Sequence, residues 1–404
     1  MRSGLQSLGL GSLLLIALLT TGAMAQISND MVKIGVLTDM SGPAASPTGQ
    51  GSVTAVQMAV EDFGGTVLGK PIVVISADHQ NKPDIGTEIA RRWYDTEQVD
   101  LIVGTPVSSI GLAVQNLAKE KQRLLITTGT GTTDFHGKAC TPYAMQWAFD
   151  TRALAAGTAR ELVKRGGDTW FFIADDYAFG HALERDATKI IEANGGKVLG
   201  SAHPPFNAPE LSSFILQAQA SKAKIIGIAA GPPNNTNEVK LGAEFNVMQG
   251  GQQMAGLLVL IDDIDALGLK TAQGLLLTTA FYWDMDEKTR AWSKRFFEKM
   301  NRMPSMWQAG DYSAVTHYLN AIKEAGTNAP LTVVAKMREK PIEDFFARNG
   351  KLREDGLMVH DLVLVQVKKP EESKYPWDYY KILTHINGDD AFGPPNPECP
   401  LVKG

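Results

Sequence analysis

Between Lys33 and Thr127 short apolar runs alternate with longer stretches whose apolar residues recur every three or four positions. The runs Ile34–Leu37, Ile72–Ser76, Leu101–Val103 and Leu124–Thr127 have the length of strands, and Gln50–Phe63, Ile85–Thr96 and Ser108–Lys119 have the helical period. Strands alternating with helices of this size predict βαβ units around a parallel sheet. After Cys140-Thr141-Pro142 the alternation restarts. Helices are expected over Thr151–Arg165, Ala182–Ala193, Glu210–Ala220 and Thr236–Asn246, between strands at Trp170–Ala174, Lys197–Ala202, Ile225–Ala229 and Gly256–Ile261. A second sheet needs its own core, so the pattern predicts an α/β protein of two doubly wound, Rossmann-like lobes. A strand at Leu275–Thr279 and helices at Glu287–Met300 and Trp307–Ala325 follow, and Trp292, Phe296 and Met300 form the core face of the first of these helices. Leu357–Val367 and Tyr379–Leu383 read as strands, and the four prolines of Ala391–Pro400 predict an extended surface tail.

The first 25 residues have a different texture. Arg2, an apolar run from Leu8 to Leu19 and the small-residue site Ala23-Met24-Ala25 predict a cleaved secretory signal, because the run is shorter than the 18 or more residues of a spanning helix. Gln26 follows the expected cut, where a lipid anchor would need cysteine. Export implies an oxidising compartment, and there the only two cysteines, Cys140 and Cys399, are expected to pair. The 404-residue chain carries 39 basic and 44 acidic residues and is 44% apolar, which excludes disorder and a polytopic membrane protein. A formal charge of −5 without a basic stretch argues against a nucleic-acid partner.

Signatures of catalysis are missing. The Gly-Lys pairs at 69, 137, 196 and 350 are followed by Pro, Ala, Val and Leu, so no phosphate loop is complete, and Gly129-Thr130-Gly131 has no third glycine at dinucleotide-loop spacing. Ser109 is not in a nucleophile elbow, since Val107 stands where glycine is needed. The seven histidines make no His-x-x-x-His pair and there is no Cys-x-x-Cys, so no metal site and no cofactor are expected. Asp262-Asp263 and Asp389-Asp390 read as solvated loop acids rather than catalytic pairs.

Candidate chemistry lies instead at strand ends. Gly104-Thr105-Pro106-Val107-Ser108-Ser109 joins a strand to a helix, where free N–H groups attract an anion, and Ser108 and Ser109 are either carboxylate donors or helix caps. In Thr127–Thr133, Gly129 admits a ligand close to the backbone, and Thr130 and Thr132 add donors. In the second half, Tyr177 and Phe179, the turn containing Gly231, and Asp262 or Asp263 occupy comparable strand ends; the two rings would cover an apolar ligand body from the opposite side.

Taken in order, Lys33-Ile-Gly-Val-Leu-Thr, Ser41-Gly42-Pro43, the Gly104 to Ser109 turn, the Thr-rich loop, Cys140-Thr-Pro-Tyr and Asp176-Tyr-Ala-Phe-Gly180 resemble the leucine/isoleucine/valine-type (type I) periplasmic binding proteins of ABC importers. The resemblance runs from about Lys33 to Val367. It implies two lobes joined by a three-segment hinge and closing on a ligand, with residues 26–147 and 280–350 in lobe 1 and 148–279 and 351–404 in lobe 2 with the tail. It implies that Thr48, Ser108, Gly129 and Thr132 hold a carboxylate and that Phe179 stands where the family often has tyrosine. The partners implied are a small-molecule carboxylate and a membrane ABC permease, for a monomer in the periplasm. Phe281-Tyr282-Trp283-Asp284, Thr289–Trp292 and the Cys399 tail are similar to a subgroup that takes up aromatic carboxylates, so an amino acid and an aromatic acid both stand as ligands. A sensor-linked binding module and a secreted enzyme are the rival readings.

Overall fold

The structure is a computed structural model that describes Met1 and residues 27–403; the expected leader, apart from Met1, lies outside the described residues. The first sheet contains β1 (Val32–Thr38), β2 (Thr66–Val67), β3 (Lys70–Asp78), β4 (Leu101–Gly104), β5 (Leu124–Thr127) and β6 (Ala144–Gln146), in the order β2-β3-β1-β4-β5-β6. Strands β3, β1, β4, β5 and β6 pair in parallel. Helices α1 (Gly49–Phe63), α2 (Pro83–Asp95) and α3 (Ser108–Lys121) make its crossovers. Central β1, β4 and β5 are almost wholly buried, which is why they read as continuous apolar runs rather than alternating ones. Strand order reverses at β1, with β3 on one side and β4 on the other, and the crevice at the carboxyl ends of β1 and β4 is where an open α/β sheet receives a ligand.

The second sheet repeats this plan. After α4 (Thr151–Lys164), β7 (Thr169–Ala174), α5 (Ala178–Ala193), β8 (Lys197–Ala202), α6 (Ser212–Ala220), β9 (Ile225–Ala229), α7 (Asn234–Glu244) and β10 (Gln253–Gly256) follow. Helices α8 (Ile261–Leu267) and α9 (Leu269–Ala272) precede β11 (Leu276–Thr279). The chain then returns to the first lobe, where α10 (Glu287–Met300) and α11 (Met306–Ala325) pack on α1 and α12 (Pro330–Glu339) packs on α11. A short ribbon, β12 (Lys351–Leu352) with β13 (Met358–Val359), leads back to β14 (Leu362–Val367), which adds antiparallel to β11, and β15 (Tyr380–Ile386), which adds antiparallel to β14. The resulting order is β15-β14-β11-β10-β9-β7-β8.

The chain therefore passes between the sheets three times, after β6, after β11 and before β14. Two of these passages lie side by side, since Gln146 bridges Leu357 in parallel and its N–H donates to Gly356 O at 2.9 Å. This is a mixed α/β fold of two doubly wound lobes on a three-segment hinge. Among the described residues no helix is long and apolar enough to cross a membrane.

Local chemistry sets the elements that flank the crevice. In α11, Ser305 accepts from the Gln308 N–H while the Gln308 side chain accepts from the Ser305 N–H, which is a reciprocal cap. The Gln308 amide also donates to Thr48 O at 3.1 Å, tying α11 to the start of α1. A Cβ on Gly51 would lie 2.1 Å from that amide nitrogen, so Gly51 makes the close approach possible.

Two expectations change. The apolar run Gly256–Ile261 is not a strand: pairing ends at Gly256, residues 257–260 form a buried connection and Ile261 opens α8. The proline-rich end is not merely extended. Helix α13 (Gly388–Phe392) starts it, Phe392 and Cys399 are buried, and Cys140–Cys399 form a disulfide with Cα atoms 5.6 Å apart.

Candidate functional site

The carboxyl ends of β4 and β5 approach closely. A Cβ on Gly129 would lie 2.7 Å from Pro106 Cα, so the two strand-end loops touch through backbone. Ser108 is the first residue of α3, and its Oγ accepts from the N–H groups of Gly131 at 3.2 Å and Thr132 at 3.3 Å. Ser108 is 1% exposed. The hydroxyl thus pins the Thr-rich loop, and a substitution there is expected to disturb local structure as well as any ligand.

Other expected donors divide. Thr132 lies in the pinned loop with its hydroxyl accepting from the Asp134 N–H. Thr130 turns away: its Oγ1 donates to Thr105 O at 2.7 Å and packs against Gly111 of α3. Thr48 Oγ1 donates to Ala44 O at 2.6 Å, so this hydroxyl is engaged within its own loop. Ser109 is half-buried on the first turn of α3.

Across from this loop stands the second lobe. Phe179, in the first turn of α5, is buried, and a Cβ on Gly131 would lie 2.7 Å from ring carbons of both Phe149 and Phe179. The Tyr177 ring is tilted against Phe206, with centroids 4.8 Å apart, and packs against the apolar cores of both lobes. A Cβ on Gly231 would stand 3.1 Å from the Tyr177 hydroxyl. The Gly231 N–H donates to Asp175 at 2.9 Å, and burial pushes that carboxyl up to about 7 despite this bond and one from Asn234. Of the expected residues, Ser108 and Thr132 meet in the pinned loop, Gly131 of that loop meets Phe179, and Gly231 lies beside Tyr177.

The adjacent acids separate by role. Asp263 caps α8, accepting from the Leu260 N–H, and also receives Asn235 and Thr236 from its own lobe. Asp262 faces the first lobe instead, accepting from Ser46 Oγ at 3.1 Å and lying 3.5 Å from Arg302. Burial raises its pKa to about 6, with Arg302 opposing the rise, and its Oδ2 is buried without a hydrogen-bond partner. Ser46 and Arg302 were not anticipated; they lie 256 residues apart, and no local pattern marks either.

A second cross-lobe link lies on the other side of Phe179. Thr133 donates to Asp186 at 2.7 Å, and Arg185 donates to Asp134 at 3.1 Å. Beside it, buried His136 lies between Asp150 and Asp355, at 3.0 and 3.6 Å. Burial would lower its pKa, but the hydrogen bond to Asp150 and the charge of nearby Asp355 override this and hold it at about 9. The Phe281–Asp284 segment is committed to packing: Phe281 lies against Trp292 and Phe345, while the Tyr282 hydroxyl and Trp283 N–H both donate to Trp377 O. Chemically, the junction offers a pinned loop with small hydroxyls from one side and aromatic rings from the other, and Asp262 makes a separate contact between the lobes through Ser46 and Arg302.

Residues 31–374 match a family model described as periplasmic binding protein. The fold closely follows a periplasmic binding protein from Burkholderia mallei, 48% identical, with a TM-score of 0.90 over 93% of this chain and 100% of that one. A branched chain amino acid ABC transporter periplasmic ligand-binding protein from Burkholderia xenovorans is 38% identical, with a TM-score of 0.82 over 90% and 97% of the two chains. A solute binding protein of an ABC transporter from Rhodopseudomonas palustris, solved with 3,4-dihydroxy benzoic acid, shares the fold at 20% identity, with a TM-score of 0.80 over 89% and 98%. No curated protein matches the chain.

Proposed function

The chain belongs to the periplasmic binding protein family, and from that premise we propose that it captures a small carboxylate with an apolar body for an ABC importer. The observation that carries this reading is the junction where the pinned Gly129–Thr132 loop of one lobe meets Tyr177 and Phe179 of the other. The hydroxyls of Ser108 and Thr132, whose oxygens accept loop N–H groups, donate their protons to the carboxylate, and the rings cover the apolar part. The amino group is optional: Asp262 is available to an ammonium through its free Oδ2, while an aromatic acid needs only the loop and the rings.

The work is reversible binding coupled to lobe closure. A ligand that moves the open-to-closed ratio from about 99:1 to 1:99 must favour the closed form by about 5.5 kcal/mol. Hydrogen bonds to a charged group contribute about 1.5–3 kcal/mol each, so two or three with ring burial suffice. The closed lobes then present one joined surface to a membrane permease, after export to the periplasm by the leader. No sensor or catalytic role is needed to account for the geometry.

The test is a thermal-shift screen over branched-chain amino acids and benzoate-like acids, using protein stripped of bound ligand by unfolding and refolding. A ligand that binds only the native state raises the melting temperature. One class is expected to do so, with tight binding on calorimetric titration. If neither class shifts the melting temperature of the refolded protein, the reading fails.

A further inference from the structure

We propose that the outer edge of the second lobe carries a transition-metal site, formed by His181, Glu184 and His203 and suited to Zn2+. His181 and Glu184 are three residues apart on the first turns of α5 and share a face of that helix. His203 follows edge strand β8. One ligand atom from each of the three lies within 4.8 Å of the others. The imidazole centroids of His181 and His203 are 5.3 Å apart.

The cluster is held at the right size by backbone. The Asp176 N–H donates to Pro204 O at 2.8 Å, which clamps the loop bearing His203 against the end of β7, just before α5. The side chains already converge: His203 Nε2 is 2.7 Å from Glu184 and His181 Nε2 is 2.8 Å from Asp176. Ligands about 2.0–2.2 Å from a tetrahedral zinc lie about 3.3–3.6 Å from one another, so small rotations of the side chains, with the His203–Glu184 pair opening from 2.7 Å, form the site. Those rotations are accessible, because the side chains of His181, Glu184 and His203 are 50%, 21% and 38% exposed. Two imidazoles and one carboxylate match zinc rather than magnesium or calcium, which take oxygen ligands. Asp176, beside His181, can supply a fourth ligand or orient that ring.

A second grouping, Asp39, Asp78 and His79, does not compete with this one. There Asp39 accepts from the N–H groups of Gly42 and Ala44, and Asp78 from those of Met40 and Gln80, so the carboxylates serve turns. The proposal departs from the expectation of no metal site drawn from histidine spacing. The His-x-x-Glu pair is local, but its third member comes from the neighbouring strand end, which no sequence spacing reveals.

The site stands independently of the captured ligand and is tested on mature protein without a polyhistidine tag. Calorimetric titration with zinc chloride in a non-chelating buffer is expected to show one equivalent bound and a higher melting temperature with zinc. His203→Ala is expected to bind zinc roughly tenfold more weakly or worse, and H181A/H203A not at all. Because these side chains are half-exposed, both variants should keep the wild-type melting temperature in EDTA; His203→Asn, which keeps a polar side chain there, provides the same loss if alanine disturbs the loop. Equal zinc uptake by the double variant, or no saturable uptake by the wild type, overturns the site. Uptake of Mg2+ as tight as that of zinc overturns the assignment of metal class.

Discussion

Arg302, in the turn between α10 and α11, directs its guanidinium at Asp262 of α8 across 3.5 Å, and this pair joins one lobe to the other. Ser46 completes the contact by accepting from Arg302 at 2.9 Å and donating to Asp262 at 3.1 Å. Arg302 is only 22% exposed and Asp262 is buried, so the cost of taking both charges out of water offsets much of their attraction and the pair's net worth is about 1 kcal/mol or less. Arg302→Ala is expected to weaken ligand binding by up to about fivefold, read by calorimetric titration. Asp262→Asn discriminates ligand classes. With an aromatic acid it should cost no more than Arg302→Ala, whereas with an amino acid it should cost at least about tenfold, because a charged hydrogen bond to the ammonium is lost as well.

Ser108→Ala removes an acceptor from two buried N–H groups, those of Gly131 and Thr132. Leaving buried donors unpaired costs about 1–3 kcal/mol, so the variant should melt several degrees lower and also bind ligand weakly. Calorimetric melting and titration of the same sample measure both. A variant with wild-type melting and wild-type affinity would remove Ser108 from the loop's support and from the site.

The sequence makes these relationships legible only where they are local. Strands such as β4 and β5, and helix α3 between them, follow from runs and periods, and so do the strand-end turns that join them. The run Leu257–Leu260 fails because an apolar run looks alike whether it pairs in a sheet or lies buried beside one. Asp262 and Asp263 are neighbours in sequence, and only the start of α8 sends one to its own cap and the other to the opposite lobe. Thr130 groups with its neighbours by composition, yet its hydroxyl donates to Thr105 O and packs against Gly111 of α3. Ser46 and Arg302 act together solely because α10 and α11 pack on α1.

His136 supplies a pH test. Its pKa in the folded protein is about 9 against an ordinary 6.5, so its stabilising contribution is complete below about pH 6.5 and is lost as pH rises through about 9. That displacement corresponds to roughly 3 kcal/mol. Wild-type melting temperature should therefore fall between neutral pH and pH 10 more steeply than that of His136→Gln. Parallel curves for the two proteins would show that His136 is not charged between Asp150 and Asp355.

The Cys140–Cys399 bridge closes a separation of 259 residues and fastens the tail beside the hinge, where Asn396 N–H also donates to Asp355. Removing a native disulfide typically costs about 2–5 kcal/mol, through a balance of unfolded-chain constraint and native packing. Cys399→Ser is expected to lower the melting temperature by several degrees. Reductant should lower that of the wild type similarly and leave the variant unmoved.

Gly131 tests closure itself. It touches ring carbons of Phe149 and of Phe179, the latter from the second lobe, and an added Cβ would lie 2.7 Å from both. Rings packed in a junction cannot yield as a flexible chain end does, so Gly131→Ala must push Phe179 outward and hold the lobes apart. The contact with Phe149, which stacks on Trp307 of α11, strains the open protein too, so the unliganded variant should melt somewhat lower but still fold, and the clash with Phe179 is added when the lobes meet. Ligand affinity should fall by more than about tenfold, because losing one ring contact and part of the apolar burial removes at least about 1.4 kcal/mol from the closed form. Small-angle scattering with saturating ligand is expected to show the wild type contracting and the variant retaining a larger radius of gyration. Equal contraction of both proteins would mean that Phe179 does not close over this loop.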